Sequence, residues 1–237
     1  MSILPLYRSW LEPNRYVWSP SVVKLEARLR IAGTSYKTAL GSVRTAPKST
    51  NNQSSAPATI GDSTVIIKHV TERGCLQRTN VLKVLSSNYS LSRRFYSHLG
   101  ASPSSQTAYT IRDHILSAVT YPIRILVCLL IYCATVQTLH GQGKGRYSAE
   151  EIQGFREEAW GAVDDLLVAF KDKARNHGGP SWVLSGEKST EADATGFGFG
   201  FGLIWPKTKE LVMGLPQMRE YAKRIHDAYF LDYEWVE

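Results

Sequence analysis

Cysteines are few, and the common metal-site and nucleophile motifs are missing. Three cysteines among 237 residues are too few, and odd in number, for a disulfide scaffold. CxxC, HExxH and GxSxG spacings do not occur, which removes the common zinc and hydrolase signatures. We therefore expect a protein of a reducing compartment that holds no metal.

Long apolar runs are also scarce. The start of the chain has no apolar core of signal-peptide length, so we predict no secretion. One membrane-like stretch covers residues 115–139, where Arg124 is the only charged side chain. Its continuous apolar part, 125–136, is about half the length that spans a bilayer. The sequence therefore favours a buried core helix, with its two cysteines as small core side chains.

Acidic residues are scarce in the first half of the chain. Residues 1–110 carry 14 basic and 4 acidic side chains, whereas residues 111–237 carry 14 basic and 17 acidic ones. The basic half favours a small anion, a lipid surface or nucleic acid, against the simpler interpretation of a solvated basic face. Nucleic acid is not expected as a partner, because no RNA-binding motif or finger spacing accompanies the charge.

Turning to what is present, the first forty residues have the pattern of a βαβ unit. Residues 4–18 can supply a strand, and residues 34–40 a second one. Between them, Ser19 and Pro20 are typical of a helix start, and Gly33 is typical of a helix end. Strand, helix and strand within about 40 residues match the size of such a unit.

The middle of the chain is polar and irregular. Residues 44–59 have the composition of a loop, and Asp62 or Ser63 can cap a short helix that runs to residue 70. Residues 71–110 show no helical period, so we place the domain boundary in or before this stretch. The predicted division is a first domain at 1–75, a linker at 76–105 and a second domain at 106–237.

The second half is predicted to be helical throughout. The expected helices are 111–121, 123–139 after a break at Pro122, one that opens at a Ser148–Glu151 capping box, one that opens at Thr190 and Asp193, and 216–229. The helix after Ser148 should bury one stripe, formed by Ile152, Phe155, Trp160, Val163, Leu167 and Phe170.

Two glycine-rich segments invite a phosphate-site interpretation, which we reject. Residues 141–146 follow a helix and lack P-loop spacing, so they are interpreted as a helix-ending loop. The glycines at 196–202 follow a helix cap, and we expect them to let that helix pack closely against a neighbour. We interpret Thr190 and Asp193 as a structural pair: the Thr190 hydroxyl accepts from the Asp193 N–H, and the Asp193 carboxylate accepts from the Thr190 N–H.

Two helix starts could hold a ligand. The one at Ser19 and Ser21 presents backbone N–H groups and a partial positive charge to an anion or a thiolate. At the other, Asp62 could accept from an amine while Ser63 receives a carboxylate. For both positions the alternative is simple helix capping.

Taken in order, several motifs resemble the glutathione transferase superfamily, and more narrowly its fungal branch near the failed-axon-connections and metaxin proteins. They are Ser-Pro-x-x-x-Lys-Leu-Glu at 19–26, Asp-Ser-x-x-Ile-Ile at 62–67, and the segments 139–152, 189–195 and 229–233. The resemblance implies an α+β, thioredoxin-like N-terminal domain followed by an all-α C-terminal domain, with glutathione as co-substrate between them.

By position, the resemblance makes Ser19 the catalytic donor to the thiolate. It makes Ser21, Pro57, Asp62 and Ser63 the residues that bind glutathione. The family's Lys-x-Pro-Tyr strand is missing or rebuilt here, because a polar loop occupies its place and Pro57 is the only proline nearby. The N-terminal domain is therefore expected to be incomplete.

Two functions follow from the resemblance. The first is a cytoplasmic glutathione transferase-like protein that binds glutathione or conjugates it to an electrophile. The alternative is a non-catalytic, metaxin-like interaction module at a protein surface or at a mitochondrial membrane, which its basic half would face. A homodimer is a further candidate assembly.

Overall fold

The described residues contain two strands of five residues each and six helices of at least nine residues each. The structure is a computed structural model, and it describes residues 4–8, 14–17, 19–40, 67, 70–72, 112–113, 116, 119–141, 147–175, 182–183, 188–201 and 206–235. In chain order the elements are β1 (Leu4–Arg8), α1 (Pro20–Ile31), β2 (Tyr36–Leu40), α2 (Tyr121–Gly141), α3 (Ala149–Arg175), α4 (Glu191–Phe201), α5 (Pro206–Gly214) and α6 (Pro216–Tyr229).

The predicted βαβ unit is confirmed. Strands β1 and β2 pair in parallel, from Leu4 opposite Tyr36 to Arg8 opposite Leu40, and α1 makes the connection between them. The helix ends where Gly33 adopts a φ of 64°. This conformation suits glycine because it has no Cβ to clash with the following backbone.

Helix α1 is buried on two sides. Leu25 and Leu29 face β1 and form a small apolar cluster with Leu6. Ile67 and Val70, which are helical as predicted, complete that cluster. On the other side of α1, Val23 and Ala27 belong to a larger core cluster, which also contains side chains of α3, α4, α5 and α6. One helix therefore takes part in both clusters of the described structure.

The most extensive helix contact among the described elements joins α1 to α4, and it depends on a glycine. A Cβ added at Gly198 would lie 2.6 Å from the backbone nitrogen of Lys24 and 2.7 Å from its Cα. A real Cβ cannot occupy that space, so the two backbones can approach only because residue 198 has no side chain. The prediction that the glycines allow close packing is confirmed at this position.

The start of α4 confirms half of the predicted capping pair. The Asp193 carboxylate accepts from the Thr190 backbone N–H at 2.7 Å, as expected. The Thr190 hydroxyl, however, donates to the same carboxylate at 2.8 Å and accepts from the N–H of Ala192 at 3.3 Å. The hydroxyl turns toward Asp193 because a buried carboxylate attracts every donor within reach.

Asp193 has a wider role than capping. Its other carboxylate oxygen accepts from the Val183 backbone N–H at 2.9 Å and from the Tyr221 hydroxyl at 3.0 Å. The side chain is completely buried, so these bonds replace all contact with water. The carboxylate therefore ties the start of α4 to α6 and to residue 183.

Helix α3 follows the sequence pattern in part: three of the six residues of the predicted stripe are buried, while Val163 and Phe170 are only partly buried. Its capping box is formed as predicted, because the Ser148 N–H donates to Glu151 at 2.7 Å and the Glu151 N–H donates to the Ser148 hydroxyl at 3.2 Å. Ile152, Trp160 and Leu167 are buried. Phe155, assigned to the same stripe, is exposed, and its ring instead packs edge-on against Tyr147, with the ring centres 5.1 Å apart.

Helix α2 differs most from expectation. A single helix runs from Tyr121 to Gly141, and Pro122 lies in its first turn rather than in a break between two helices. The predicted burial is wrong for the described side chains, since most of the large apolar ones on this helix are exposed. Cys133 is exposed as well, and Cys128 is only partly buried, so neither serves as a core side chain.

Candidate functional site

Ser19 occupies the N-cap position of α1, but its side chain does not cap the helix. Its backbone is extended, with φ −84° and ψ 114°, and its carbonyl oxygen accepts from the N–H groups of Val22 and Val23 at 3.1 and 3.0 Å. The hydroxyl makes no capping hydrogen bond. The residue as a whole is buried, with 8% of its surface exposed.

The electrostatics at the start of α1 favour a negative ligand. Pro20 occupies the first helical position, and the first turn contains no acidic side chain. The positive end of the helix dipole is therefore not offset by a carboxylate from the first turn of α1 itself. Such a helix start suits an anion or a thiolate.

The segment before Ser19 is held by the C-terminal end of the described chain. The Glu234 backbone N–H donates to the Asn14 carbonyl at 2.9 Å. The Tyr16 hydroxyl pairs with Nδ1 of His226 at 2.7 Å, and the Tyr16 ring packs against Phe230 with the ring centres 5.3 Å apart. Ser19 thus follows an anchored segment and precedes α1, the helix that packs directly against α4 at Gly198.

Of the other predicted site residues, the structure describes only Ser21. Ser21 lies in the first turn of α1 and is partly buried. Pro57, Asp62 and Ser63 lie outside the described residues, as does the predicted linker 76–105. The structure therefore places Ser19 and Ser21 together at one helix start, and the glutathione-binding role of the whole set stays a prediction.

A partly buried cluster of charged and phenolic side chains, absent from the sequence-based site, lies toward the C-terminal end of α1. At its centre is Glu26, one carboxylate oxygen of which accepts from the hydroxyls of Tyr36 at 2.8 Å and Tyr233 at 2.5 Å. The Arg8 guanidinium donates to the Tyr233 hydroxyl at 2.9 Å. Arg30 donates from Nε to the Tyr36 hydroxyl at 2.6 Å and forms a two-point ion pair with Asp232.

The protonation states of this cluster are fixed by its surroundings. Burial, followed by the charge of Glu26, raises the pKa of the Tyr36 and Tyr233 hydroxyls well above their usual value. The hydrogen bond from Arg30 lowers the pKa of Asp232 below its usual value. Both phenols therefore stay protonated donors and Asp232 stays ionised near neutral pH. We interpret the cluster as a structural link that joins β1, α1, β2 and the C-terminal segment.

Two of the cavities among the described residues are not lined by Ser19 or Ser21. One, of about 710 Å³, opens beside the buried cluster of Arg8 and Glu26. The other, of about 810 Å³, lies between α3 and α5 and is lined by Glu150, Glu157 and Glu210. Within this part of the chain, no three His, Cys, Asp or Glu side chains converge as metal ligands would.

No protein-family model matches the sequence, and no curated protein does either. Among solved structures, the chain is similar to the crystal structure of a glutathione transferase from Phanerochaete chrysosporium, with a TM-score of 0.52 and 17% identity over 100% of this chain and 99% of that one. It is also similar to a glutathione S-transferase of Ceriporiopsis subvermispora, solved in complex with glutathione, with a TM-score of 0.52 and 15% identity over 100% and 99% of the two chains.

At these identities the similarity establishes the fold. The predicted architecture is confirmed: a thioredoxin-like N-terminal domain precedes a helical C-terminal domain. The narrower resemblance to failed-axon-connections and metaxin proteins stays a prediction.

Proposed function

We propose that this chain binds glutathione at the start of α1 and conjugates it to electrophiles, with Ser19 as the donor to the thiolate. The observation that carries the proposal is the Ser19 hydroxyl, which occupies a helix N-cap yet makes no capping hydrogen bond. The simpler interpretation, that Ser19 serves only to cap α1, would require such a bond. The shared fold with proteins that are glutathione transferases supports the same assignment.

The chemistry asks little of the protein. A hydrogen bond from Ser19 and the positive end of α1 would stabilise the thiolate over the thiol and so lower the thiol pKa. The thiolate sulfur then attacks the electrophilic carbon, a C–S bond forms, and the leaving group departs with its electron pair. The thiol proton passes to solvent before the attack.

The first prediction concerns Ser19→Ala. A hydrogen bond to a charged group is worth about 1.5–3 kcal/mol, so we expect conjugation of 1-chloro-2,4-dinitrobenzene to slow about 10- to 100-fold. The pKa of the bound thiol, followed by thiolate absorbance, should rise by about one unit or more. The free energy of unfolding should stay unchanged, because the substitution removes no capping hydrogen bond.

Ser148→Ala is the matched control. The same substitution at the N-cap of α3 removes the hydroxyl that accepts from the Glu151 N–H. We expect it to cost about 1 kcal/mol of stability and to leave conjugation intact. The two variants should therefore show opposite effects on activity and stability.

Two results would contradict the proposal. One is a Ser19→Ala protein with the parental rate and thiol pKa. The other is a parental protein that flows through immobilised glutathione and conjugates nothing, which would favour the non-catalytic interaction module. Because Ser148→Ala reports on folding alone, loss of activity in both variants would point to stability rather than to Ser19 chemistry.

A further inference from the structure

Tyr16 is a buried phenol three positions before Ser19, the residue proposed to donate to the thiolate. Its hydroxyl oxygen lies 2.7 Å from Nδ1 of His226, which is also buried and belongs to helix α6. Three residues of chain span at most about 11 Å. Little slack therefore separates the Tyr16 side chain from the start of α1.

The ring of Tyr16 is held by packing, whereas its hydroxyl is held by His226. The rings of Phe197, Phe230 and Tyr233 surround it, with centre-to-centre distances of 5.7, 5.3 and 5.1 Å. These contacts locate the ring, and a buried phenol also needs a polar partner for its hydroxyl. The hydrogen bond to His226 supplies that partner and so fixes how the ring is oriented within its aromatic surroundings.

His226 is itself held in place on a packed helix. Its imidazole meets the ring of Trp235 edge-on, with the ring centres 5.1 Å apart. Its backbone carbonyl accepts from the N–H of Phe230 at 2.7 Å. Helix α6 packs against α3 and α5, so a regular element presents the imidazole to Tyr16. The hydrogen bond therefore ties the chain that enters α1 to the helical half of the protein.

The direction of this hydrogen bond depends on the charge of His226. Burial raises the pKa of the Tyr16 hydroxyl well above its usual value, so the phenol remains a donor near neutral pH. Burial also lowers the pKa of His226, so the imidazole is neutral there and Nδ1 accepts. The charged groups nearest the imidazole are Lys223 and Asp227 on α6 and Asp232 in the C-terminal segment, and Tyr16 faces it from the segment before α1. In acid both imidazole nitrogens carry protons, and Nδ1 no longer accepts.

We propose that His226 is a positioning residue for Ser19: by accepting from the Tyr16 hydroxyl, it fixes the chain that enters α1 and keeps the Ser19 hydroxyl directed at the thiolate. This inference rests on the function proposed for Ser19. It gives a role to a buried hydrogen bond between residues 210 positions apart, which lies beside the proposed site. Because protonation of His226 removes the acceptor, conjugation should fall in acid more steeply than titration of the thiol alone would cause.

A double-mutant cycle on the full chain tests whether His226 acts through Ser19. Tyr16→Phe keeps the ring and removes only the hydroxyl, and His226→Ala removes the acceptor. We expect each to slow conjugation of 1-chloro-2,4-dinitrobenzene about 3- to 10-fold near neutral pH, mainly in kcat, which is the range that one neutral hydrogen bond supports. In the Ser19→Ala protein the same substitutions should have no further effect, because the hydroxyl that they position is gone.

His226→Asn is the conservative variant. Its amide oxygen can take about the position of Nδ1, accepts from Tyr16 and does not titrate. We expect it to conjugate at close to the parental rate near neutral pH. Below the thiol pKa the parental rate should fall by more than about tenfold per pH unit, because the thiol and His226 both titrate, whereas His226→Asn should follow the thiol alone.

Amide hydrogen exchange follows the same constraint without glutathione. The N–H groups of Val22 and Val23 donate to the Ser19 carbonyl at 3.1 and 3.0 Å and so report on the start of α1. Both should exchange about 3- to 10-fold faster in Tyr16→Phe than in the parental protein. The N–H of Ile152, which makes the matching first-turn hydrogen bond in α3, should keep its parental rate. Parental exchange at Val22 and Val23 in that variant would contradict the inference.

Tyr229→Phe is the matched control for stability. It also removes a phenol hydroxyl from the core side of the protein, one that shares a 2.5 Å hydrogen bond with the Ser189 hydroxyl. Tyr229 lies on α6 like His226, but this bond does not involve the segment before α1. We expect Tyr229→Phe to lower stability and to conjugate at the parental rate.

Three kinetic results would overturn the inference. Tyr16→Phe and His226→Ala could conjugate at the parental rate while Ser19→Ala is slow. They could slow the Ser19→Ala protein by the same factor as its parent, which would make their role structural. Tyr229→Phe could slow conjugation as much as Tyr16→Phe, which would assign the effect to lost stability. A Ser19→Ala protein at the parental rate is a separate result, because it would refute the proposed function and this inference with it.

Discussion

Replacement of Gly198 by alanine is the sharpest test of how the two halves of the protein are joined. The added Cβ would lie 2.6 Å from the Lys24 nitrogen and 2.7 Å from both its Cα and its Cβ. Two of these three atoms are backbone, so no side-chain rotation can remove the clash. To restore an ordinary contact near 3.4 Å, α1 and α4 must move apart by about 0.8 Å where they are most closely packed.

The expected cost combines two opposing effects. Alanine is the better helix former by about 1 kcal/mol, which favours the variant. Overpacking a core typically costs about 1–3 kcal/mol, and a clash with backbone belongs at or above the upper end of that range. We therefore expect Gly198→Ala to lower the free energy of unfolding by about 2 kcal/mol. For a chain of this size, that corresponds to a fall of about 4–8 °C in melting temperature.

Denaturant and thermal unfolding of a matched glycine series would measure this effect. Gly154→Ala and Gly161→Ala, both in α3, meet no atom within 4 Å and should each stabilise the protein by up to about 1 kcal/mol. A Cβ added at Gly196 meets only the Tyr221 side chain, with its hydroxyl oxygen at 3.7 Å and a ring carbon at 3.9 Å, so Gly196→Ala should also be neutral or stabilising. The series holds the chemical change constant and varies only the space available.

The result that would refute this reasoning is a Gly198→Ala protein at least as stable as its parent. It would mean that α1 and α4 can separate without loss of packing, and that the approach at Lys24 is not required by the fold. A uniform fall in stability across all four variants would refute it equally, because a Cβ added at either glycine of α3 meets no neighbouring atom and should cause no loss.

Two further predictions concern buried polar groups. Asp193→Ala should lower the free energy of unfolding by about 3 kcal/mol or more, because it leaves the Tyr221 hydroxyl and the Val183 N–H without their carboxylate partner. Denaturant unfolding measures this loss. The affinity for glutathione per folded molecule should be unchanged. Burial lowers the pKa of His226, so the unfolded chain takes up a proton first as the pH falls below about 6.5, and stability should decline from pH 7 to pH 5. His226→Gln should flatten that decline, and an equal slope in both proteins would contradict it.

Signals that act within a few residues were readable from the sequence. Helix α1 begins at Pro20 and ends before Gly33, as the proline and glycine predict. Helix α6 has the predicted bounds Pro216–Tyr229, and the Ser148 capping box is formed. Each of these features depends on backbone geometry over one or two turns, which neighbouring residues determine.

Interactions between distant residues were not readable. Glu26 and Arg30 are four residues apart on α1, a spacing that suggests a local ion pair. Tyr233, whose hydroxyl donates a hydrogen bond to Glu26, lies 207 positions away in the sequence. Likewise, the spacing of Thr190 and Asp193 predicted a cap, while the bond from Tyr221 that broadens the role of this carboxylate depends on how α6 packs against α4. Sequence periodicity records which side of a helix is apolar and leaves open which element covers it.

Helix α1 shows why the candidate site depends on both halves of the chain. Its Leu25 and Leu29 pack with β1, whereas its Val23 and Ala27 pack with the C-terminal helices. Ser19 begins this shared helix, so a shift of α4 against Lys24 would also move the hydroxyl proposed to donate to the thiolate. A thiolate donor must be held within about half an ångström of its working position. The glycine at position 198, far from Ser19 in sequence, is therefore part of what fixes the geometry of the proposed site.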